Sequence, residues 1–362
     1  MMYFNRFLII PISLFLIINS YFPSVGISNV IKEKLNSSYL QSTTTLENKL
    51  ESPEINDPDF EFQWAVTSTE SNKAWKLVNQ KRTVKVAIVD TGVDYNHPDL
   101  KNRVLTELGY NFIDNNNDVM DDNWHGTHVA GIIAAEMNNN QGITGIVGPL
   151  DVKIIPVKVL DKNGQGDSPI IAEGIKYAVD KGADIINISI GFKVKDTYIE
   201  EAVNYAKQKG VLVVAAAGND NSNCDSYSPA GDKGVFTVSA VDNSYNKASF
   251  SNYGSTVMVA APGVDIISTV PDNSYEYRNG TSMAAPTVVG IAAMLKAENP
   301  KLTSDEIEKI LISSSNDIMA KGKDDYSGYG FVNAYKALQM VQALEKENVL
   351  NKLLNINYTK KF

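Results

Sequence analysis

The side chains in this 362-residue chain that are able to do chemistry are few and grouped. Of its three histidines, His125 and His128 lie in DNWHGTHVAG (Asp122 to Gly131), and His97 lies in NHPDL. Two imidazoles so spaced on a helix face are either a pair of metal ligands or one working base beside a packing residue. A zinc pair is short of partners: HGTH lacks the intervening glutamate of an HExxH site, and His97 belongs to another motif. A serine nucleophile fits better. Ser282 follows Gly280 in NGTSMAAP, at the start of a helical pattern. A hydroxyl is a poor nucleophile at neutral pH and needs a base within reach. An imidazole can take its proton and return it to a leaving group. A buried carboxylate on the far ring nitrogen fixes the tautomer and stabilises the imidazolium. Asp90, which closes the run VKVAIVD, can serve as that carboxylate, although aspartate also commonly caps a turn. Asn219 in AAAGND offers an amide to a developing oxyanion, and the helix start at Ser282 offers backbone N–H groups. His128 then reads as a buried packing residue.

Something must bring these positions together. β-branched apolar runs occur at 84–90, 152–160, 183–190, 211–218, 235–241 and 257–263, with helical patterns over 127–137, 169–181, 197–209 and 282–297. Strands without alternation, separated by helices, predict an α/β fold: a doubly wound, mostly parallel sheet with helices on both faces. Ligands bind such sheets at the carboxyl ends of the strands, where Asp90 and Asn219 fall.

At these residues the chain resembles the subtilisin-like serine peptidases, the subtilase family. The likeness runs from about Asp57 to Leu338 through DTGVDYNHPDL, HGTHVAG, NISIG, AAAGN, GTSMAAP and GYGFVNAYKAL. Asp, His and Ser come in that family's order. The resemblance implies a serine endopeptidase acting through an acyl-enzyme, with Asp90 orienting, His125 as base, Ser282 as nucleophile and Asn219 as oxyanion donor. No cofactor is implied for catalysis. A protein or peptide substrate is expected as an extended strand between Gly164, Gln165, Gly166 on one side and Ser189, Ile190, Gly191 on the other. Ala217 and Gly218 are expected to line the P1 pocket. A structural Ca²⁺ held by Asp57, Asp99 and Asn139 is also implied, through hard oxygen donors. Without the ion these residues read as a solvated polar loop with Asp99 as a cap.

Composition bounds the rest. A net charge of −9 without a basic stripe gives no footing for nucleic acid. The single cysteine, Cys224, can form no intramolecular disulfide and reads as a small loop filler. The apolar run from Phe7 to Ile18, preceded by Arg6 and followed by small residues at Ser24 to Gly26, predicts an export signal over 1–26. The run is short for a membrane span, though an uncleaved anchor is the alternative. A spacer or short pro-segment follows over 27–56, then a peptidase domain over 57–338 and a helical tail with a basic end over 339–362. A secreted monomer that meets a membrane only during export is expected.

Two features depart from the family. Some thirty residues stand where a folded pro-domain of roughly 70 is usual. Trp124 stands beside the base where small or polar residues are usual, and its indole is expected to narrow the pocket for the residue before P1. Asp225 favours lysine or arginine at P1 if it reaches the pocket, and otherwise is one more exposed acid. Two rivals stand beside a broad protease: a dedicated peptidase that removes leaders from precursors, as lantibiotic-processing subtilases do, and an inactive peptide-binding module. All four catalytic positions are intact, which favours an enzyme.

Overall fold

The computed structural model describes residues 54–359, with side chains as far as 346. The segment read as an export signal, nearly all of the spacer and the basic end of the tail lie outside the described residues. Seven strands form one parallel sheet in the order β2-β3-β1-β4-β5-β6-β7. They are β1 (Val84–Asp90), β2 (Tyr110–Asn111), β3 (Val152–Lys158), β4 (Ile185–Ile188), β5 (Leu212–Ala216), β6 (Val235–Val241) and β7 (Val257–Pro262). A separate antiparallel hairpin joins β8 (Ile266–Val270) to β9 (Ser274–Arg278). The helices are α1 (Trp64–Ser68), α2 (Ser71–Ala74), α3 (His125–Ala134), α4 (Ser168–Asp180), α5 (Thr197–Gln208), α6 (Thr281–Glu298), α7 (Ser304–Ser314) and α8 (Ala334–Thr359). Among the described residues, none is long and apolar enough to cross a membrane.

The continuous Val, Ile and Ala runs form strands because both faces of the sheet are covered. On one face α3 and α6 pack over Val86, Ile88, Val214 and Val238. On the other, α4 and α5 pack over Val89, Ile155, Ile186 and Val213. The doubly wound parallel sheet expected from the sequence is the fold observed, and each anticipated strand and helix appears within a few residues of its expected ends. The chain leaves β1 toward β3 on one side and later builds β4 to β7 on the other. The reversal puts the ends of β1, β4 and β5 side by side, where Asp90, Ser189 and Asn219 emerge.

The helix α6 is buried along nearly its whole length, with small residues on every side. It is therefore a core helix rather than an amphipathic cover, and its first turn is a rigid mount.

Candidate active site

Asp90 ends β1 and is wholly buried. One of its oxygens, Oδ1, accepts hydrogen bonds from the Thr91 N–H at 2.7 Å and from His125 Nδ1 at 2.7 Å. That bond assigns the proton of the neutral ring to Nδ1 and leaves Nε2 as the basic nitrogen. His125 opens α3, and its side chain is only 17% exposed. Burial works against its charge, but the charge and hydrogen bond of Asp90, helped by Asp121, outweigh it and raise its pKa above the ordinary histidine value. The next residue must be glycine. A Cβ on Gly126 would stand 2.0 Å from the Gly92 carbonyl oxygen, so only glycine lets the start of α3 meet the end of β1.

Ser282 sits in the first turn of α6, 9% exposed. Its hydroxyl donates to the Ser189 carbonyl at 3.3 Å, and the Ser189 hydroxyl donates to the Ser282 carbonyl at 3.2 Å. Pro286 accounts for the second bond. Lacking an N–H, it leaves the carbonyl four residues earlier, that of Ser282, without its helical partner, and Ser189 supplies one.

Asn219 follows Gly218, whose φ of +102° suits glycine. Its Oδ1 accepts from the N–H of Thr281 at 2.9 Å and from its hydroxyl at 3.0 Å. With the oxygen so occupied, the amide N–H₂ is the free end. Asn252 braces this loop from below: its Nδ2 donates to the Ala217 carbonyl at 2.9 Å, and its Oδ1 accepts from the N–H groups of Asp220 and Ser222 at 2.9 and 3.0 Å.

A cleft of about 220 Å³ opens beside Ser282. Ser189, Ile190, Gly191, Ala217, Gly218 and Asn219 line it as expected, joined by Lys193, Ala216, Asp220, Tyr227, Ala230 and Thr281. The expected segment Gly164, Gln165 and Gly166 does not line it. That loop closes on Asp161 and is tied by the Lys162 carbonyl to Asn123 Nδ2 at 2.9 Å. Tyr227, whose hydroxyl is hydrogen-bonded to Ser222 at 2.8 Å, carries no sequence signal, because the loop over 219–230 has no periodicity.

A serine on a helix start and an amide thus share one cleft, and a carboxylate bonded to an imidazole stands at the end of β1, the strand beside β4, which leads to Ser189. The model of the subtilase family matches residues 81–330. The chain belongs to the subtilase family. A thermophilic serine proteinase of Bacillus sp. (strain AK1) is 45% identical over 277 residues, covering 76% of this chain and 67% of that protein. Thermitase of Thermoactinomyces vulgaris is 42% identical over 285 residues, covering 78% and 99%. Among solved structures, one titled as proteases from Pseudoalteromonas arctica superposes with a TM-score of 0.73 at 34% identity, covering 80% of this subtilase and all of that chain.

The structure bears on two of the specificity readings. Asp225 does not line the cleft. Its carboxylate accepts from the Thr256 N–H at 3.0 Å and from the Ser255 hydroxyl at 3.0 Å, so it caps a turn and gives lysine or arginine at P1 no partner. The acid that does line the cleft, Asp220, is paired with Lys193. Trp124 is partly buried beside the base. Arg278 stacks over its ring at 4.3 Å, and the indole meets His125 and His128 edge-on. Asn123, not Trp124, reaches the 161–165 loop. His128 is fully buried, with Nε2 hydrogen-bonded to the Glu276 carbonyl at 3.0 Å; burial pushes its pKa down to about 3, and it stays neutral. Cys224 is likewise buried, packed with Ala217 and Ala230 beneath the cleft, and burial pushes its thiol pKa up.

The three residues read as calcium ligands do meet. Asp57 accepts from the N–H groups of Asn138 and Asn139 at 2.9 and 3.2 Å. Asp99 accepts from Asn139 Nδ2 at 2.7 Å, the Ile143 N–H at 3.2 Å and the Tyr275 hydroxyl at 2.9 Å. Both carboxylates are buried, and among the described residues neither forms an ion pair. Burial, with the charge of Asp99, raises the Asp57 pKa. The described residues hold no cluster of three or more His, Cys, Asp or Glu suited to a metal; this set is two carboxylates and an amide. The two buried carboxylates offer the hard oxygens Ca²⁺ takes, whereas Asn139 turns its amide nitrogen to Asp99 and its oxygen accepts from the Gln141 N–H at 2.8 Å.

Proposed function

We propose that this subtilase, a serine endopeptidase, cuts peptide bonds with Ser282 as nucleophile, His125 as general base and then acid, Asp90 as the orienting carboxylate and Asn219 as oxyanion donor. The observation that carries this reading is the 2.7 Å bond from His125 Nδ1 to the buried Asp90, with Ser282 and Asn219 at the same cleft. In the first step the Ser282 hydroxyl exchanges the Ser189 carbonyl for His125 Nε2, a contact that commonly tightens only once substrate is bound. The oxygen attacks the scissile carbonyl, the proton passes to Nε2, and the new oxyanion takes an N–H from Asn219. His125 then gives the proton to the departing amine, leaving an acyl-enzyme. Water, deprotonated by His125, attacks that ester, and the released Ser282 oxygen takes the proton back.

The substrate is read as an extended strand laid against Ser189–Gly191, with an uncharged apolar P1 side chain in the cleft. Ala216, Ala217, Ile190 and Ala230 supply the walls, and the Tyr227 hydroxyl is already spent on Ser222. Such a pocket supports a broad protease over the leader-removing reading. Asp57, Asp99 and Asn139 are proposed to hold a structural Ca²⁺, which would neutralise two buried charges. Export to the cell exterior is proposed on the apolar run at Phe7–Ile18.

Labelling with an organophosphonate tests the core of this reading. One equivalent should attach to the wild type and none to Ser282→Ala; labelling that survives the substitution refutes the nucleophile. A peptide library should return a broad apolar P1 preference, and a single sharp motif would instead identify a processing enzyme.

A further inference from the structure

The loop before α3 holds a second buried carboxylate that the reaction as described does not use. Asp121 is 4% exposed and accepts four hydrogen bonds. Oδ1 takes the Thr91 hydroxyl at 2.8 Å and the Asn123 N–H at 3.0 Å. Oδ2 takes the Thr127 hydroxyl at 2.6 Å and the Thr127 N–H at 3.0 Å. Both hydroxyls also accept: Thr91 from the Gly126 N–H at 3.0 Å, and Thr127 from the Asp94 N–H at 2.9 Å. The two threonines thus pass backbone N–H groups on one side to the carboxylate on the other. This relay joins the residue after Asp90 to the residues on either side of His125.

We propose that Asp121 is a positioning residue of the catalytic site: it docks the first turn of α3 onto the end of β1 and adds a second buried negative charge behind the imidazole. The inference rests on the reading of His125 as general base. An anionic group at a helix start also satisfies N–H groups that have no partner within the helix. Its charge counts because the others around the imidazole are spent. Asp90, from β1, carries the direct bond. Asp122 is paired with Lys158 of β3 at 2.6 Å. Arg278 of β9, which reaches the ring only through Trp124, is paired with Glu276. His128, within α3, stays neutral. Asp121 has no ion-pair partner among the described residues. Burial pushes its own pKa up, the four donors pull it down, and its charge in turn helps raise that of His125.

Asp121→Asn keeps the shape and removes the charge. The acid limb of its kcat/KM profile is expected to move down by roughly half a pH unit or more, because the imidazolium loses a stabilising charge. Plateau kcat is expected to fall roughly tenfold or more, with KM little changed, because the same imidazolium forms in the transition state. Thr91→Val keeps the charge but breaks the relay; it should lower kcat while leaving the acid limb in place, and it serves as the test if Asp121→Asn does not fold. A folded Asp121→Asn with the wild-type acid limb overturns the proposal, as does Thr91→Val with wild-type kcat. A wild type without any acid limb, or a Ser282→Ala variant with full activity, would instead refute the catalytic reading beneath it.

Discussion

Asp90 and Asp99 flank one stretch of chain and stand in opposite electrostatic circumstances. Both are wholly buried. Asp90 has an imidazole at 2.7 Å that takes up a positive charge during the reaction. Asp99 has an amide, a backbone N–H and a phenol, lies close enough to Asp57 that its charge adds to burial in raising the Asp57 pKa, and has no cation partner among the described residues. A buried carboxylate without a counter-charge is costly. Asp90 therefore meets its counter-charge within the polypeptide, whereas Asp57 and Asp99 are the pair proposed to take theirs from Ca²⁺.

Substitutions can break that contrast from either side. The largest effect belongs to the catalytic half: Asp90→Asn should lower kcat by about 10⁴, since an amide cannot fix the tautomer or steady the imidazolium. Single-turnover hydrolysis of a peptide ester measures it. Asn219→Ala should cost about 10²–10³ in kcat with KM nearly unchanged, because the free N–H₂ end of its amide is the one proposed to meet the oxyanion. At the outer half, chelation of calcium should leave the freshly treated catalytic groups in place but lower the melting temperature by about 5 °C or more. A scan with and without chelator decides it; an unchanged midpoint removes the calcium proposal.

The pH dependence sharpens the same contrast. His125 works as a base only when neutral, and its pKa is raised, so activity is gained as pH rises through a value above the ordinary histidine range. The stabilisation from the charged Asp90–His125 pair has the opposite sense. It is fully present below the unfolded histidine pKa and lost as pH rises through the folded one. Activity and stability thus pull apart on the alkaline side, which a kcat/KM profile run beside melting curves will show. The smallest effect is expected at Asp225→Asn, which should leave P1 preference unchanged because that carboxylate faces Ser255 and Thr256.

The parts legible in the sequence share one property: their residues are neighbours in the chain or repeat with a period. The β-branched runs announce β1 and β3 to β7, and Asp90, His125, Ser282 and Asn219 each sit in a short recognisable stretch. The hairpin β8–β9 was missed because SYEYR alternates exposed polar residues and carries no buried-strand signal. Helix α7 was also missed, although its capping box of Thr303 and Glu306 was there to be read. The neighbours of Trp124 are not legible in the sequence, because adjacency in the chain says nothing of direction. At the cap of α3 the ring leaves toward β9, a strand far along the chain. Asp121 and Asn252 were invisible for a related reason. Asn252 acts wholly on segments about 30 residues away, and the link from Asp121 to the end of β1 runs through Thr91, 30 residues back, which no local pattern records.

The reciprocal bonds between Ser189 and Ser282 carry one more consequence. The segment proposed to receive the substrate strand and the residue proposed to attack it hold each other by hydroxyl and carbonyl in both directions. The gap at Pro286 makes this possible, since an ordinary helix would keep that carbonyl for itself. Anvil and hammer are thereby fastened together. When the Ser282 hydroxyl turns to His125, the bond from the Ser189 hydroxyl to the Ser282 carbonyl is expected to keep the two segments in register.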